Sequence, residues 1–137
     1  MTPDYTIRHE TPTIETYRHL RTAAGMGAKS VEAVMRGLPG SLFAVQVFDG
    51  DAPVAMGRVV GDGGCFFQVT DIAVLPAHQG RGLGKRVMGE IMAWLHGHVR
   101  DGGYVSLIAD GRANELYEQF GFQPTAPASI GMWWMPK

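Results

Sequence analysis

The stretch from Phe66 to Val99 constrains the fold more than any other part of the chain. It opens with Phe66-Phe67-Gln68-Val69-Thr70-Asp71-Ile72-Ala73-Val74-Leu75, whose second half is nearly continuous in apolar residues. Such a run reads as a central strand covered on both faces. Pro76 ends it, because proline has no N–H to give a ladder. From about Gly82 to Val99 the period changes. Leu83, Val87, Ile91 and Leu95 recur every four residues, while Lys85, Arg86 and Glu90 lie off that stripe. This spacing predicts an amphipathic helix. Between strand and helix stands Gln79-Gly80-Arg81-Gly82-Leu83-Gly84. The first N–H groups of a helix have no internal partner and carry partial positive charge. Glycines at alternating positions remove the side chains that would screen them. The predicted result is a cradle for an anion, most naturally a phosphate or diphosphate.

Two common phosphate motifs are excluded by spacing. A P-loop needs Gly five residues before Gly84, where the chain has Gln79, and Ser or Thr after Lys85, where it has Arg86. A Gly-x-Gly-x-x-Gly dinucleotide fingerprint started at Gly80 ends on Lys85, and started at Gly82 ends on Val87.

The rest of the chain alternates short strands and helices. Asp4 to Glu10 reads as a strand. Thr13 to Ala24 reads as a helix, and Ser30 as the N-cap of a shorter one through Val31, Val34 and Met35, stopped at Gly37-Leu38-Pro39-Gly40. Ser41–Phe48 and Pro53–Val60 flank Asp49-Gly50, a type I′ hairpin signal. Tyr104 to Ala109 reads as a further strand. Ala113, Leu116, Tyr117 and Phe120 mark a short helix closed by Gly121 in a left-handed cap. Gly131 to Met135 reads as a last strand. The order β-α-α-β-β-β-α-β-α-β describes a mixed α/β sheet, with antiparallel hairpins first and βαβ units after.

Composition narrows the function classes. At 137 residues the length predicts a single domain. A hydrophobic fraction of 45% with 18% charged residues describes a globular protein, and a net charge of -1 argues against nucleic acid as a partner. No apolar run approaches the ~18 residues of a membrane span, and the N-terminus lacks a signal-peptide pattern. The single cysteine, Cys65, excludes an intrachain disulfide and a Cys-rich zinc site. The expected setting is cytoplasmic, with no membrane partner. His96 and His98 lie two apart on a helix with no third ligand nearby, so no metal is expected; His78 meets either a ligand or water. Cys65 has no local activating partner and is expected to be buried as a small hydrophobe.

The pattern that fits the loop is Gln-x-x-Gly-x-Gly, at Gln79, Gly82 and Gly84. In its strand–loop–helix context it resembles the coenzyme A-binding motif of the GCN5-related N-acetyltransferase (GNAT) superfamily. Asn114-Glu115-Leu116-Tyr117-Glu118-Gln119-Phe120-Gly121-Phe122 resembles that family's Asn-x-x-x-x-Tyr-x-x-x-Gly-Phe region, although Asn114 precedes Tyr117 by only three. The element order matches from about residue 4 to 135, the N-terminal third in pattern alone.

The resemblance implies one GNAT-like domain over 1–137, with a mixed sheet, an antiparallel N-terminal part, splayed parallel strands and flanking helices. It implies an acetyl-CoA-dependent N-acetyltransferase with acetyl-CoA as cosubstrate. Backbone groups of Ile72, Ala73 and Val74 would pair with the pantetheine arm. The N–H groups of Gln79, Gly80, Arg81, Gly82, Leu83, Gly84 and Lys85 would hold the diphosphate, with side-chain charge from Arg81, Lys85 and Arg86. Asn114 would bond the pantetheine or cap its helix. Tyr117 would be the general acid that protonates the departing thiolate, whose parent thiol titrates near ~8.5. Asp71 is the expected base, with Asp110 and Glu15 behind it. The acceptor, expected to be a small-molecule primary amine of apolar or aromatic character, would meet Tyr17, Met26, Met35 and Trp133. The alternatives are a protein or peptide N-acetyltransferase, a CoA-binding sensor without turnover, and a nucleotide-phosphate site on an unrelated α/β fold. A homodimer through the apolar last strand is compatible with the resemblance.

Overall fold

Polar caps and glycine turns set the element boundaries. Thr13 and Ser30 accept hydrogen bonds from the amides of Thr16 and Ala33, both at 3.1 Å, and so start the first two helices. In a computed structural model describing residues 4–136, the chain forms β1 (Tyr5–Arg8), α1 (Ile14–Ala23), α2 (Val31–Gly37), β2 (Phe43–Asp49), β3 (Ala52–Gly61), β4 (Phe66–Val74), α3 (Leu83–His98), β5 (Tyr104–Ser106) and α4 (Asn114–Glu118). It divides into two compact units, one ending at Leu107 and the other beginning at Ile108.

The first unit holds a five-stranded sheet in chain order, β1-β2-β3-β4-β5. The first three pairings are antiparallel and β4–β5 is parallel, the mixed sheet expected. The β2–β3 hairpin turns one residue later than its Asp-Gly signal suggests. Asp49 pairs with Ala52, so Gly50 and Asp51 are the central residues, and of these only Gly50 has positive φ, at 62°. Glycine at the first central position is the type II′ arrangement, not type I′.

The decisive irregularity lies in β4. Thr70 pairs with Arg58 and Ala73 with Met56, which leaves Gly57 opposite both Asp71 and Ile72. The extra residue is a β-bulge, and Asp71 sits in it with φ 61°, a region non-glycine residues seldom occupy. The bulge reverses side-chain alternation. Before it, Phe67 meets Trp94 of α3 edge to face at 6.2 Å. After it, Ile72 still faces α3, where it, Val87 and Ile91 crowd the Cα of Gly57. Asp71 and Ala73 therefore turn to the opposite face. There Tyr17, Leu20, Val34 and Leu38 from the α1–α2 region cluster with Met56 and Ala73. On the other face α3 buries Leu83, Val87, Met88, Ile91 and Leu95.

The parallel pairing of β4 and β5 runs only from Phe66↔Tyr104 to Gln68↔Ser106. β5 ends at Ser106, short of the expected Ala109, and its last residue is also the last one paired with β4. Among the described residues, no strand pairs with that edge of β4 beyond Gln68.

In the second unit, α4 ends in a turn where Gly121 has φ 92° and the Phe122 amide donates to the Tyr117 carbonyl at 3.3 Å. The left-handed glycine is where the sequence places it. The expected strand over 131–135 does not form. Ile130, Met132, Trp133, Trp134 and Met135 are exposed, Trp134 to 84%. Apolar residues supply a face to bury, but a strand also needs a neighbour for its backbone groups, and the described residues offer this segment none. No helix among the described residues is long and apolar enough to cross a membrane.

Candidate active site

The glycine loop leaves β4 through a single turn at Pro76–His78. Gln79 folds back, its side-chain amide donating to the Val74 carbonyl at 3.0 Å. Gly80 and Gly82 both adopt positive φ, 79° and 77°, which L side chains resist. A Cβ at either position would meet nothing within 4 Å, so these glycines serve backbone direction and openness rather than close packing. Gly82 is the N-cap of α3 and provides no side-chain cap. Among the described residues, the amides from Gly80 to Lys85 donate to no protein acceptor. The first bond into the helix runs from the Arg86 amide to the Gly82 carbonyl at 3.0 Å. Bare amides at the positive end of a 16-residue helix form an anion cradle, and they fit a diphosphate.

Tyr5 secures this loop. Its hydroxyl accepts from Arg81 Nη1 at 2.8 Å and lies 2.8 Å from His78 Nδ1. The Arg81 side chain is thus docked on β1. Lys85 and Arg86 are exposed, and neither forms an ion pair among the described residues.

Asp71, five residues before Pro76, is the hub of a buried polar cluster. Its Oδ1 accepts from Arg21 Nη1 at 2.5 Å, and its Oδ2 from Arg58 Nε at 2.7 Å and the Tyr17 hydroxyl at 2.8 Å. The carboxylate is 3% exposed, the two arginine side chains 11% and 12%. Arg58 also donates from Nη1 to Ser41 Oγ at 2.9 Å, and its guanidinium lies 5.4 Å from the Tyr17 ring centre. Burial pushes the Tyr17 phenol above its ordinary value, and the charge and hydrogen bond of Asp71 push it further, against the opposing pull of Arg58 and Arg21.

The remaining expected site residues fall in several places. Met26 packs against the Tyr17 cluster. Met35 is exposed and borders a groove with Thr11, Ile14 and Pro39. Glu15 lines a different groove with Arg18 and Lys29. In the second unit, Trp133 is exposed, and Asp110 raises the proton affinity of Tyr117. That phenol is pushed up first by burial and then by the Asp110 charge, and its hydroxyl has no hydrogen-bond partner among the described residues. Asn114 donates to Glu118 at 3.2 Å. The N-cap of α4 is Ala113, so Asn114 does not cap its helix: it is the first helical residue, too late for its side chain to reach the free amides.

Two further expectations change. Cys65 is exposed, not buried, because it lies in the turn that links β3 to β4. His98 stacks on Trp94 with ring centres 4.2 Å apart and bonds the Trp94 carbonyl at 2.8 Å. Among the described residues no cluster of His, Cys, Asp and Glu is arranged to hold a metal ion. Sequence reading overlooked Tyr5, Arg21 and Arg58. A charged residue inside the apolar stretch of β3 was the available signal for Arg58.

Comparison with known proteins converges on one family. Residues 39–124 match the model of the acetyltransferase (GNAT) domain. A protein of unknown function from meticillin-resistant Staphylococcus aureus, described as a probable acetyltransferase, superposes with a TM-score of 0.93 at 45% identity, covering 97% of this chain and 100% of the other. A GNAT-family acetyltransferase from Streptococcus pneumoniae superposes with a TM-score of 0.79 at 29% identity, covering 98% and 99%. The chloroplastic GCN5-related N-acetyltransferase 2 of Arabidopsis thaliana is 33% identical over 84 residues, which are 61% of this chain and 32% of that protein. The chain thus spans about a third of that curated relative's length. With its short parallel β4–β5 pair, its bare glycine loop and these matches, the chain belongs to the GNAT acetyltransferase family.

Proposed function

We propose that this protein is an acetyl-CoA-dependent N-acetyltransferase that acetylates a primary amine of a small molecule by direct attack. The observation that carries this reading is the row of amides from Gly80 to Lys85 with no protein acceptor, at the start of α3 and beside the unpaired edge of β4. Acetyl-CoA supplies an activated thioester acyl group. The loop amides from Gly80 to Lys85 hold its diphosphate, without the expected help of Gln79, whose own amide donates to the Pro76 carbonyl at 3.3 Å, and the backbone of Ile72, Ala73 and Val74 offers strand-like hydrogen bonding to its arm. Tyr117 donates a proton to the departing sulfur. Its raised proton affinity keeps the phenol protonated through the physiological range, the state a donor needs. A cytoplasmic setting is part of the same reading.

Asp71 was expected to act as base. Three donors occupy its oxygens, and we assign it instead to positioning Tyr17, Arg21 and Arg58. The amine then loses its proton to water. The cluster stands directly before the Ile72–Val74 edge, so its order sets where an acceptor can sit.

Thermal stabilisation by acetyl-CoA, ATP and NAD, followed by thiol release against an amine panel, tests the reading. Stabilisation by acetyl-CoA alone, with turnover, is the expected result. Stabilisation by ATP or NAD instead overturns it, and binding without thiol release from any amine or peptide marks a sensor. Tyr117→Phe should lower kcat about 100-fold or more with acetyl-CoA affinity unchanged. An unchanged kcat removes the acid role from Tyr117.

A further inference from the structure

A small cavity of about 190 Å³ opens between α1, α2 and β3, lined by Tyr17, Lys29, Ala33, Val34, Leu38 and Arg58. Two cations line it and no carboxylate does. Most of its remaining wall is apolar. Arg58 is aimed by its neighbours: Nε is engaged by Asp71 and Nη1 by Ser41, while Nη2 donates to no acceptor among the described residues. Behind the cavity, the one negative charge of Asp71 faces two guanidiniums, Arg21 and Arg58, so the cluster keeps an excess positive charge. Lys29 adds another at the rim, on a loop held by the bond from Arg18 Nε to the Lys29 carbonyl at 3.0 Å. A buried, rigidly held guanidinium with a free nitrogen is a strong and selective donor to carboxylate or phosphate oxygens.

The volume is well below the ~300–1,000 Å³ of drug-sized sites. It suits an anionic group on a short carbon chain. The carboxylate that aims Arg58 belongs to the residue immediately before the Ile72–Val74 edge. We infer that the acceptor is a small amine that also carries an anionic group, which binds at Arg58 and Lys29. This rests on the acetyltransferase reading above and gives its substrate class.

The test pairs acceptors with and without an anionic group on the same short amine: β-alanine with propylamine, and phosphoethanolamine with ethanolamine, each followed by thiol release from acetyl-CoA. The two pairs distinguish a carboxylate from a phosphate handle. Anionic members should show kcat/KM about tenfold or more above their neutral partners. Lys29→Met, at an exposed position, should raise KM for the anionic acceptor several-fold, leave kcat near the parent value, and leave the neutral amines unaffected. Arg58→Lys, which also disturbs the bonds to Asp71 and Ser41, should raise KM for the anionic acceptor more than for its neutral partner; its fold is checked by its melting temperature. Equal or better use of the neutral amines, or an unchanged KM in Lys29→Met, overturns the proposal. Direct titration of β-alanine and of phosphoethanolamine into the protein without acetyl-CoA separates this outcome from failure of the parent reading. Binding of either that is lost in Arg58→Lys or Lys29→Met supports the anion site even if acetyl-CoA neither binds nor turns over. Absence of binding by both, alongside turnover of neutral amines, leaves the acetyltransferase intact and removes the anion site.

Discussion

On one side of β4, Ile72 packs with Val87 and Ile91 around the bare Cα of Gly57. On the other side, one residue earlier, Asp71 gathers Tyr17, Arg21 and Arg58. The first face is closed by shape: there is room for three methyl-bearing side chains because the fourth position has none. The second face is closed by charge and hydrogen bonding in a setting nearly as dry. Both arrangements issue from a single inserted residue. Without the bulge, Asp71 and Ile72 would exchange faces, placing a carboxylate against the apolar stripe of α3. The bulge therefore lets a buried strand end in a polar cluster without breaking the core behind it.

The largest effect is expected on the charged face. Asp71→Ala leaves two nearly buried guanidiniums without their carboxylate, which should cost about 3–5 kcal/mol of folding stability, read from urea denaturation. Adding Arg21→Met to that variant should recover part of the loss, since it removes one stranded charge. A loss below about 1 kcal/mol in the single variant would show that the arginines simply turn out to water and that charge does not close this face.

The shape-closed face gives a smaller and sterically specific response. A Cβ on Gly57 would lie 2.6 Å from Val87 Cγ1 and 2.7 Å from Ile72 Cδ1. Gly57→Ala should cost about 1–3 kcal/mol by overpacking. Val87→Ala opens the matching space, so the double variant should be more stable than the sum of the two single losses implies. Strict additivity would mean that α3 shifts as a body to accept the methyl.

Which parts were legible follows from the same contrast. The α3 stripe and the glycine loop are written in local spacing, and they appear where the periodicity places them. Asp71 in an apolar strand was visible as unusual, but its partners were not. Arg21 and Arg58 lie 50 and 13 residues away, and nothing local indicates that a bulge aims all of them at one point. The hairpin turn moved by one residue because Asp-Gly and Gly-Asp overlap in Asp49-Gly50-Asp51, and only strand register chooses between them. The segment around Trp133 and Trp134 has strand composition, yet a strand is a relation between two segments. Tyr117 and Gly121 were read correctly as a helix and its terminator, because a left-handed glycine with an apolar follower is a local signal.

The mildest difference between the faces should emerge with pH. The contact of Ile72, Val87 and Ile91 around Gly57 holds no titratable side chain. On the polar face Tyr17 holds its proton more tightly than a free phenol, whose value is 10.0, first because it is buried and then because of the charge of Asp71 and the hydrogen bond it accepts. The sign follows from linkage. Below about pH 10 both folded and unfolded chains keep the proton, and the contribution is fully present. As pH rises through about 10 toward the raised folded value, the unfolded chain releases its proton while the folded one retains it. Stability then falls by up to about 1.4 kcal/mol per pH unit. Tyr117 shifts in the same direction, so Tyr117→Phe is the appropriate background. In it, the stability gap between Tyr17 and Tyr17→Phe, measured in urea from about pH 8 to 11, should hold steady and then narrow above pH 10. A gap that stays constant to pH 11 would mean that the phenol gains no proton affinity from its site, and that the hydrogen bond to Asp71 yields as readily to solvent as one on the surface.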